Sequence, residues 1–87
     1  MNTEVISIDY DECDDDTARR AFVAVEHDGA TYMVRTFSEH RPRSATWRHG
    51  VAYWCLGEDE AGTQRHPAGL PDEVISAVDA ELHRGGR

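Results

Sequence analysis

The Asp28-Gly29 dipeptide constrains this chain more than any other feature, because two β-rich runs meet at it within residues 19 to 37. Asp-Gly is typical of a two-residue type I′ turn, in which both central residues need positive φ and the backbone twist matches that of the flanking strands. We therefore predict a β-hairpin over residues 19 to 37. A three-residue loop with Gly29 in the left-handed conformation is the alternative, and it would shift the strand pairing by one residue.

The two-residue turn sorts the hairpin side chains into two faces. The first face suits a hydrophobic core, because β-branched and aromatic side chains meet across the strands. Its pairs are His27 with Ala30, Val25 with Tyr32, Val23 with Val34, and Ala21 with Thr36. The second face mixes arginine with aromatic and methionine side chains. Its pairs are Glu26 with Thr31, Ala24 with Met33, Phe22 with Arg35, and Arg20 with Phe37.

Two further segments have strand patterns. Residues 4 to 10 alternate, with Ile6, Ile8 and Tyr10 on one side, which indicates a half-buried strand. Residues 50 to 57 are an apolar run between glycines, which favours a central strand buried on both sides. One side of that strand carries Val51, Tyr53 and Cys55.

The connections between these segments carry local turn signals. Ser44 is a candidate cap for a short helical turn that Gly50 ends. The turn from Asp59 to Gly62 favours a second hairpin with a short edge strand through Gln64.

Residues 71 to 87 carry the signals of an amphipathic helix. Pro71 suits the first helical position, acidic residues follow it, and Arg84 with the following glycines marks the end. One apolar stripe consists of Val74, Ile75, Val78 and Leu82. We predict a single α+β domain of residues 1 to 87, with a small antiparallel sheet of three to five strands and this C-terminal helix packed on one face.

The charge composition points to an unusual solvent environment. The chain has 17 acidic residues against 9 basic ones, a formal net charge of −8, and every basic residue is arginine. Acidic, lysine-free chains are typical of the cytoplasm of organisms that accumulate molar potassium chloride, where carboxylates keep the surface hydrated. A GC-rich genome, which also favours arginine over lysine, is the alternative explanation.

The same composition predicts a soluble cytoplasmic protein. The amino terminus lacks a basic stretch followed by a long apolar run, and no apolar segment approaches the ~20 residues of a membrane span. Cys13 and Cys55 are far apart and form no CxxC motif, so free thiols are the simpler interpretation. We expect no membrane association.

The residues able to support metal or catalytic chemistry are scattered. His49, Cys55 and His66 are candidate zinc ligands, but no pair has the spacing by which one element presents two ligands. The acidic run from Asp9 to Asp16 departs from the calcium-loop pattern at its fifth and sixth positions. The sequence therefore predicts no cofactor, no metal site and no enzymatic activity.

A segment rich in arginine and tryptophan is a candidate nucleic-acid contact. Arginine binds phosphate through two hydrogen bonds, and tryptophan stacks on bases. The residues concerned are Arg41, Arg43, Trp47 and Arg48. The alternative is that Trp47 is a core residue and that the arginines pair with the acidic run within the chain.

The second face of the hairpin is the candidate protein-interaction surface. Aromatic, methionine and arginine side chains together are the composition of interface cores. The residues concerned are Phe22, Met33, Arg35 and Phe37. In the alternative, the connections at 38 to 50 or 57 to 70 fold over this face. The favoured function is a small cytoplasmic interaction or regulatory module that binds a protein partner or forms a homodimer.

Overall fold

A computed structural model describes residues 2–11, 17–40, 43, 46–60 and 62–85. Its four-stranded antiparallel sheet and C-terminal helix confirm the predicted α+β fold. The strands follow one another in space in chain order, so each neighbouring pair is joined by a direct antiparallel connection. The elements are β1 (Thr3–Tyr10), β2 (Ala18–His27), β3 (Ala30–Glu39), β4 (Arg48–Leu56), a 3₁₀ turn (Pro67–Gly69) and α1 (Asp72–Gly85).

The β2–β3 hairpin has the predicted register. Asp28 and Gly29 are the two turn residues, with φ angles of 48° and 85°, as a type I′ turn requires. His27 pairs with Ala30, and each of the other predicted pairs is present along the two strands. The turn chemistry alone therefore determined which side chains share a face.

The hydrophobic core lies between the sheet and α1. Eight buried side chains form it: Val23, Val25, Val34, Trp54, Leu70, Val74, Val78 and Leu82. The helix begins at Asp72, and the Pro71 carbonyl accepts its first hydrogen bonds, so Pro71 precedes the first helical position instead of occupying it. The predicted stripe is narrower than expected, because Ile75 is 38% exposed at the edge of the packed surface.

A bulge in β1 overturns the predicted alternation of that strand. The pairing with β2 shifts between Val5 and Ser7, which leaves Ile6 as the extra residue. Val5 and Ile8 consequently pack against the core, whereas Ile6 is 54% exposed.

The strand β4 begins earlier than predicted. It starts at Arg48, so Gly50 lies inside the strand and does not end a helical turn, while Ser44 lies outside the described residues. The Phe37 ring lies against Gly50, since a Cβ on this glycine would be 2.5 Å from Phe37 Cζ. A side chain at this position would therefore displace the Phe37 ring from the strand surface.

The connection from 57 to 70 follows the outer edge of β4. The predicted second hairpin is reduced to one bridge, in which Trp54 and Arg65 exchange backbone hydrogen bonds. Trp54 Nε1 donates to the His66 carbonyl at 2.8 Å, and Leu70 then enters the core. The connection is thus anchored on the same side of the sheet as the helix. The described residues contain no helix with the length and apolar character that a bilayer crossing requires.

Candidate interaction surface on the sheet

The sheet has a second face, opposite α1, which we call the open face. It is formed by alternate side chains of the four strands: Glu4, Ser7, Asp9, Arg20, Phe22, Ala24, Glu26, Thr31, Met33, Arg35, Phe37, Glu39, Arg48, Tyr53 and Cys55. Among the described residues, neither of the connections that the alternative placed over this face covers it. The 57 to 70 connection joins the core, and Trp47 in the 38 to 50 connection contacts Arg19, which lies on the helix side.

Arg35 occupies the centre of the open face. Its guanidinium carbon lies 4.4 Å from the centroid of the Phe22 ring, and the Phe22 ring meets Tyr53 edge-on at 6.4 Å between centroids. Two nitrogens of Arg35 donate to the two carboxylate oxygens of Asp11, at 2.5 and 3.2 Å. The cation–π contact and the ion pair together hold the guanidinium over the Phe22 ring.

The ion pair between Asp11 and Arg35 fixes the charge of both groups. Hydrogen bonding from Arg35 lowers the pKa of Asp11 below its ordinary value, and the same contact raises the pKa of Arg35. Both therefore remain charged at neutral pH. Any stabilisation from the lowered pKa of Asp11 is present above its ordinary value of about 3.9 and is lost as the pH falls through the lowered pKa.

A cavity of about 340 Å³ opens beside this pair, towards β4. Its lining combines two guanidinium groups with aromatic and small side chains: Arg20, Arg35, Thr36, Phe37, Ala52 and Tyr53. Phe37 is 38% exposed and Arg20 is exposed. The cavity therefore offers hydrogen-bond donors at the border of an apolar surface, an arrangement suited to a carboxylate.

The open face has opposite charges at different places. The β1 margin is acidic, with Glu4 and Asp9 paired to open-face residues of β2. On the two central strands Arg20 and Arg35 are balanced by Glu26 and Glu39, and the charged open-face residue of the β4 margin is Arg48. The face is therefore polarised across the strands.

Tyr53 is an open-face residue that the sequence pattern did not assign to the site. The β3–β4 pairing shifts so that Arg35 faces Tyr53 and Thr36 faces Val51, which leaves Ala52 unpaired. Strict alternation puts Val51 and Tyr53 on one side, but the bulge sends Val51 towards the core. Only the β3–β4 register of the structure, which places Tyr53 opposite Arg35, identifies this tyrosine.

Two of the candidate nucleic-acid residues, Trp47 and Arg48, lie on opposite sides of the sheet. The Trp47 ring has the Arg19 guanidinium 4.5 Å from its centroid and the His40 ring edge-on at 4.4 Å, which fits the alternative of a structural role. Arg48 lies on the open face opposite Glu39. Arg43 is exposed, and Arg41 lies outside the described residues. Binding of nucleic acid by this segment stays a prediction.

The candidate zinc ligands are separated by the sheet. His49 contacts His83 of α1 on the helix side, whereas Cys55 pairs with Met33 on the open face. In the described ranges, no group of three histidine, cysteine, aspartate or glutamate side chains is placed to hold a metal ion. Cys13 and residues 12 to 16 of the acidic run lie outside the described residues.

The contact between β4 and the end of α1 is a polar cluster that the sequence pattern did not reveal. His49 Nδ1 lies 2.6 Å from Ser38 Oγ of β3, and the His49 and His83 ring centroids are 4.6 Å apart. Burial, followed by the proximity of His83, lowers the pKa of His49, and Arg19 of β2 acts in the same direction. Asp79 opposes this shift. His49 is therefore favoured as the neutral imidazole in the folded protein.

We expect the folded protein to lose stability as the pH falls from about 6.5, the ordinary pKa of histidine, towards the lowered pKa of His49. In that interval the unfolded chain binds more protons than the native one, so the free energy of unfolding rises with pH. Urea unfolding between pH 7 and pH 5 measures the slope, and His49→Gln should flatten it. A slope unchanged by this substitution would contradict the assignment to His49.

No protein-family model, curated protein sequence or solved structure matches this chain at a significant level.

Proposed function

We propose that this protein is a small interaction module whose open face binds a second copy of the same chain. The observation that supports the proposal is the composition of that face in a sheet whose other side is already packed. Phe22, Phe37, Tyr53 and Met33 are interleaved with arginine, and no described element packs over them. Aromatic, methionine and arginine side chains are enriched where proteins meet.

The size of the open face suits a dimer. Four strands at about 4.8 Å spacing and about 10 residues in length span roughly 600 Å². Two such faces in contact bury roughly 1,200 Å², the lower end of the range for specific interfaces. No additional segment of the chain is needed to reach that area.

The charge pattern of the open face favours a second copy of the chain over a partner whose surface carries charges of only one sign. The acidic margin on β1 and the arginine-bearing margin on β4, on either side of two central strands with balanced charges, are the two halves of a complementary pattern. A purely basic partner would meet Arg20 and Arg48, and a purely acidic partner would meet Glu4 and Asp9. The same chain can satisfy both halves.

We further propose that the protein works in a cytoplasm of high salt concentration. A net charge of −8 on each copy opposes association at long range. The Debye length falls from about 10 Å at 0.1 M salt to about 3 Å at 1 M, so this repulsion is largely screened in molar salt. The apolar contacts of the open face are not weakened by that screening.

Phe22→Glu tests the role of the open face. Placing a carboxylate in the middle of the dimer interface should weaken dimerisation at least about 30-fold, as expected for a central aromatic residue worth about 2 kcal/mol. Sedimentation equilibrium in 2 M KCl measures the dimer dissociation constant, and circular dichroism checks that the variant is folded. Phe37→Glu, at a more exposed position, is the second variant.

Ala80→Glu is the matched control, because it adds the same charge at an exposed position of α1. This variant should dimerise like the wild type. A monomeric wild type, or equal dimerisation of both open-face variants and the control, would contradict the proposed function.

A further inference from the structure

We propose that the two copies pack with a twofold axis parallel to the strands, so that the partner's Asp9 enters the cavity beside Arg20 and Tyr53. This inference rests on the proposed function. It assigns that cavity as a carboxylate site and identifies the second copy as the source of the carboxylate.

Two aligned arrangements bring the open faces together. In the aligned class of sheet packing, the strands of the two sheets lie within about 30° of each other, and the twofold axis between them then runs either along the strands or across them. An axis across the strands places each strand over its own counterpart. The acidic β1 margin, with Glu4 and Asp9, would then face an identical acidic margin. Like charges opposite one another disfavour this arrangement.

An axis along the strands places β1 of one copy over β4 of the other. The central row of the open face reads Asp9, Phe22, Arg35 and Tyr53 across the sheet. In the dimer, this row packs against the same row of the second copy, which runs in the opposite order. Asp9 therefore lies opposite the partner's Tyr53, and Phe22 lies opposite the partner's Arg35. Each aromatic or acidic side chain thereby faces a complementary group.

The cavity has the chemistry that an incoming carboxylate requires. Arg20 is exposed and lines it, and the Tyr53 hydroxyl is a further donor. Arg35 is already occupied by Asp11 of its own chain, so Arg20 is the guanidinium left to bind the carboxylate of the second copy. Asp9 is exposed at the β1 margin, where it can reach the facing sheet.

Thiol crosslinking tests the arrangement. The neighbouring row reads Ser7, Ala24, Met33 and Cys55, so Ser7 should lie opposite the partner's Cys55. Within one chain, three strand spacings separate these residues by about 14 Å. In a Cys13→Ser background, a bis-maleimide too short to span that separation should therefore link Ser7→Cys to Cys55 between copies and not within a copy.

The controls distinguish the existence of the dimer from the proposed arrangement of its two copies. The same protein with Cys55→Ser retains one thiol at position 7 and should give no covalent dimer. Asp9→Asn should weaken dimerisation about tenfold in sedimentation equilibrium, whereas Glu73→Gln, an equal loss of charge on α1, should not. A dimer that fails to crosslink, or one that crosslinks equally without Cys55, overturns the arrangement while the proposed function stands. A monomeric wild type overturns both.

Discussion

Trp54→Ala is expected to destabilise the fold by about 3 to 5 kcal/mol, the range for removing a buried large aromatic side chain. Trp54 is 6% exposed and packs in the core between the sheet and α1. Its indole donates to the His66 carbonyl at 2.8 Å, and Gly69 lies against its ring. Since small domains have total stabilities near the lower end of about 5 to 15 kcal/mol, the variant should be largely unfolded at moderate temperature.

Two other substitutions separate the contributions of the hydrogen bond and of core burial to this loss of stability. Trp54→Phe keeps an aromatic ring but leaves the His66 carbonyl without its donor, so a smaller loss of about 1 to 2 kcal/mol is expected. Trp47→Ala removes the other tryptophan, which is half-buried and lies outside the core cluster. This substitution should also lower the free energy of unfolding by less than Trp54→Ala does. Urea unfolding followed by circular dichroism measures all three. A loss at Trp47 equal to that at Trp54 would contradict the assignment of Trp54 as the main core anchor.

The β2–β3 hairpin was predictable because its register depends on local turn chemistry. Asp28 and Gly29 define the turn, and period-two alternation then assigns every side chain of both strands. Phe22, Met33, Arg35 and Phe37 therefore lie together on one face, as predicted. That face is open among the described residues, because α1 lies on the other side of the sheet.

The bulges were not predictable from alternation. Ile6 and Ala52 each add a residue to one strand of a pair, which reverses the face of the residues beyond them. The path of the 57 to 70 connection was also not predictable from local sequence patterns. It depends on the contact between Trp54 and His66, two residues that no periodicity relates.

The two bulges also help to explain how a sheet this small has two different faces. The shift at Ala52 turns Val51 towards α1 while Tyr53 remains beside Arg35. The shift at Ile6 allows Val5 and Ile8 both to contact the core. Apolar side chains at both margins thereby join the helix-covered face, and the open face retains the aromatic residues of the proposed interface.

The melting temperature is expected to rise with salt, because self-repulsion at a net charge of −8 is the long-range force that opposes the folded state. Between 0.1 M and 2 M KCl this repulsion is largely screened. Each kcal/mol gained raises the melting temperature of a domain of this size by about 4 to 8 °C. The exposed ion pair between Arg35 and Asp11 weakens in salt, but exposed pairs contribute only about 0 to 1 kcal/mol, so the net change should be stabilising.

A charge-reduced variant distinguishes screening from a general effect of salt on apolar contacts. Asp14→Asn, Asp15→Asn and Asp16→Asn together change the net charge from −8 to −5 without changing side-chain size. This variant should melt at a higher temperature than the wild type in 0.1 M KCl and gain less from 2 M KCl. Both proteins are compared at one concentration, because dimerisation also raises the melting temperature by mass action. Equal salt dependence of the two proteins would show that charge repulsion is not the cause, and a wild-type melting temperature unchanged by salt would contradict the proposal of a high-salt cytoplasm.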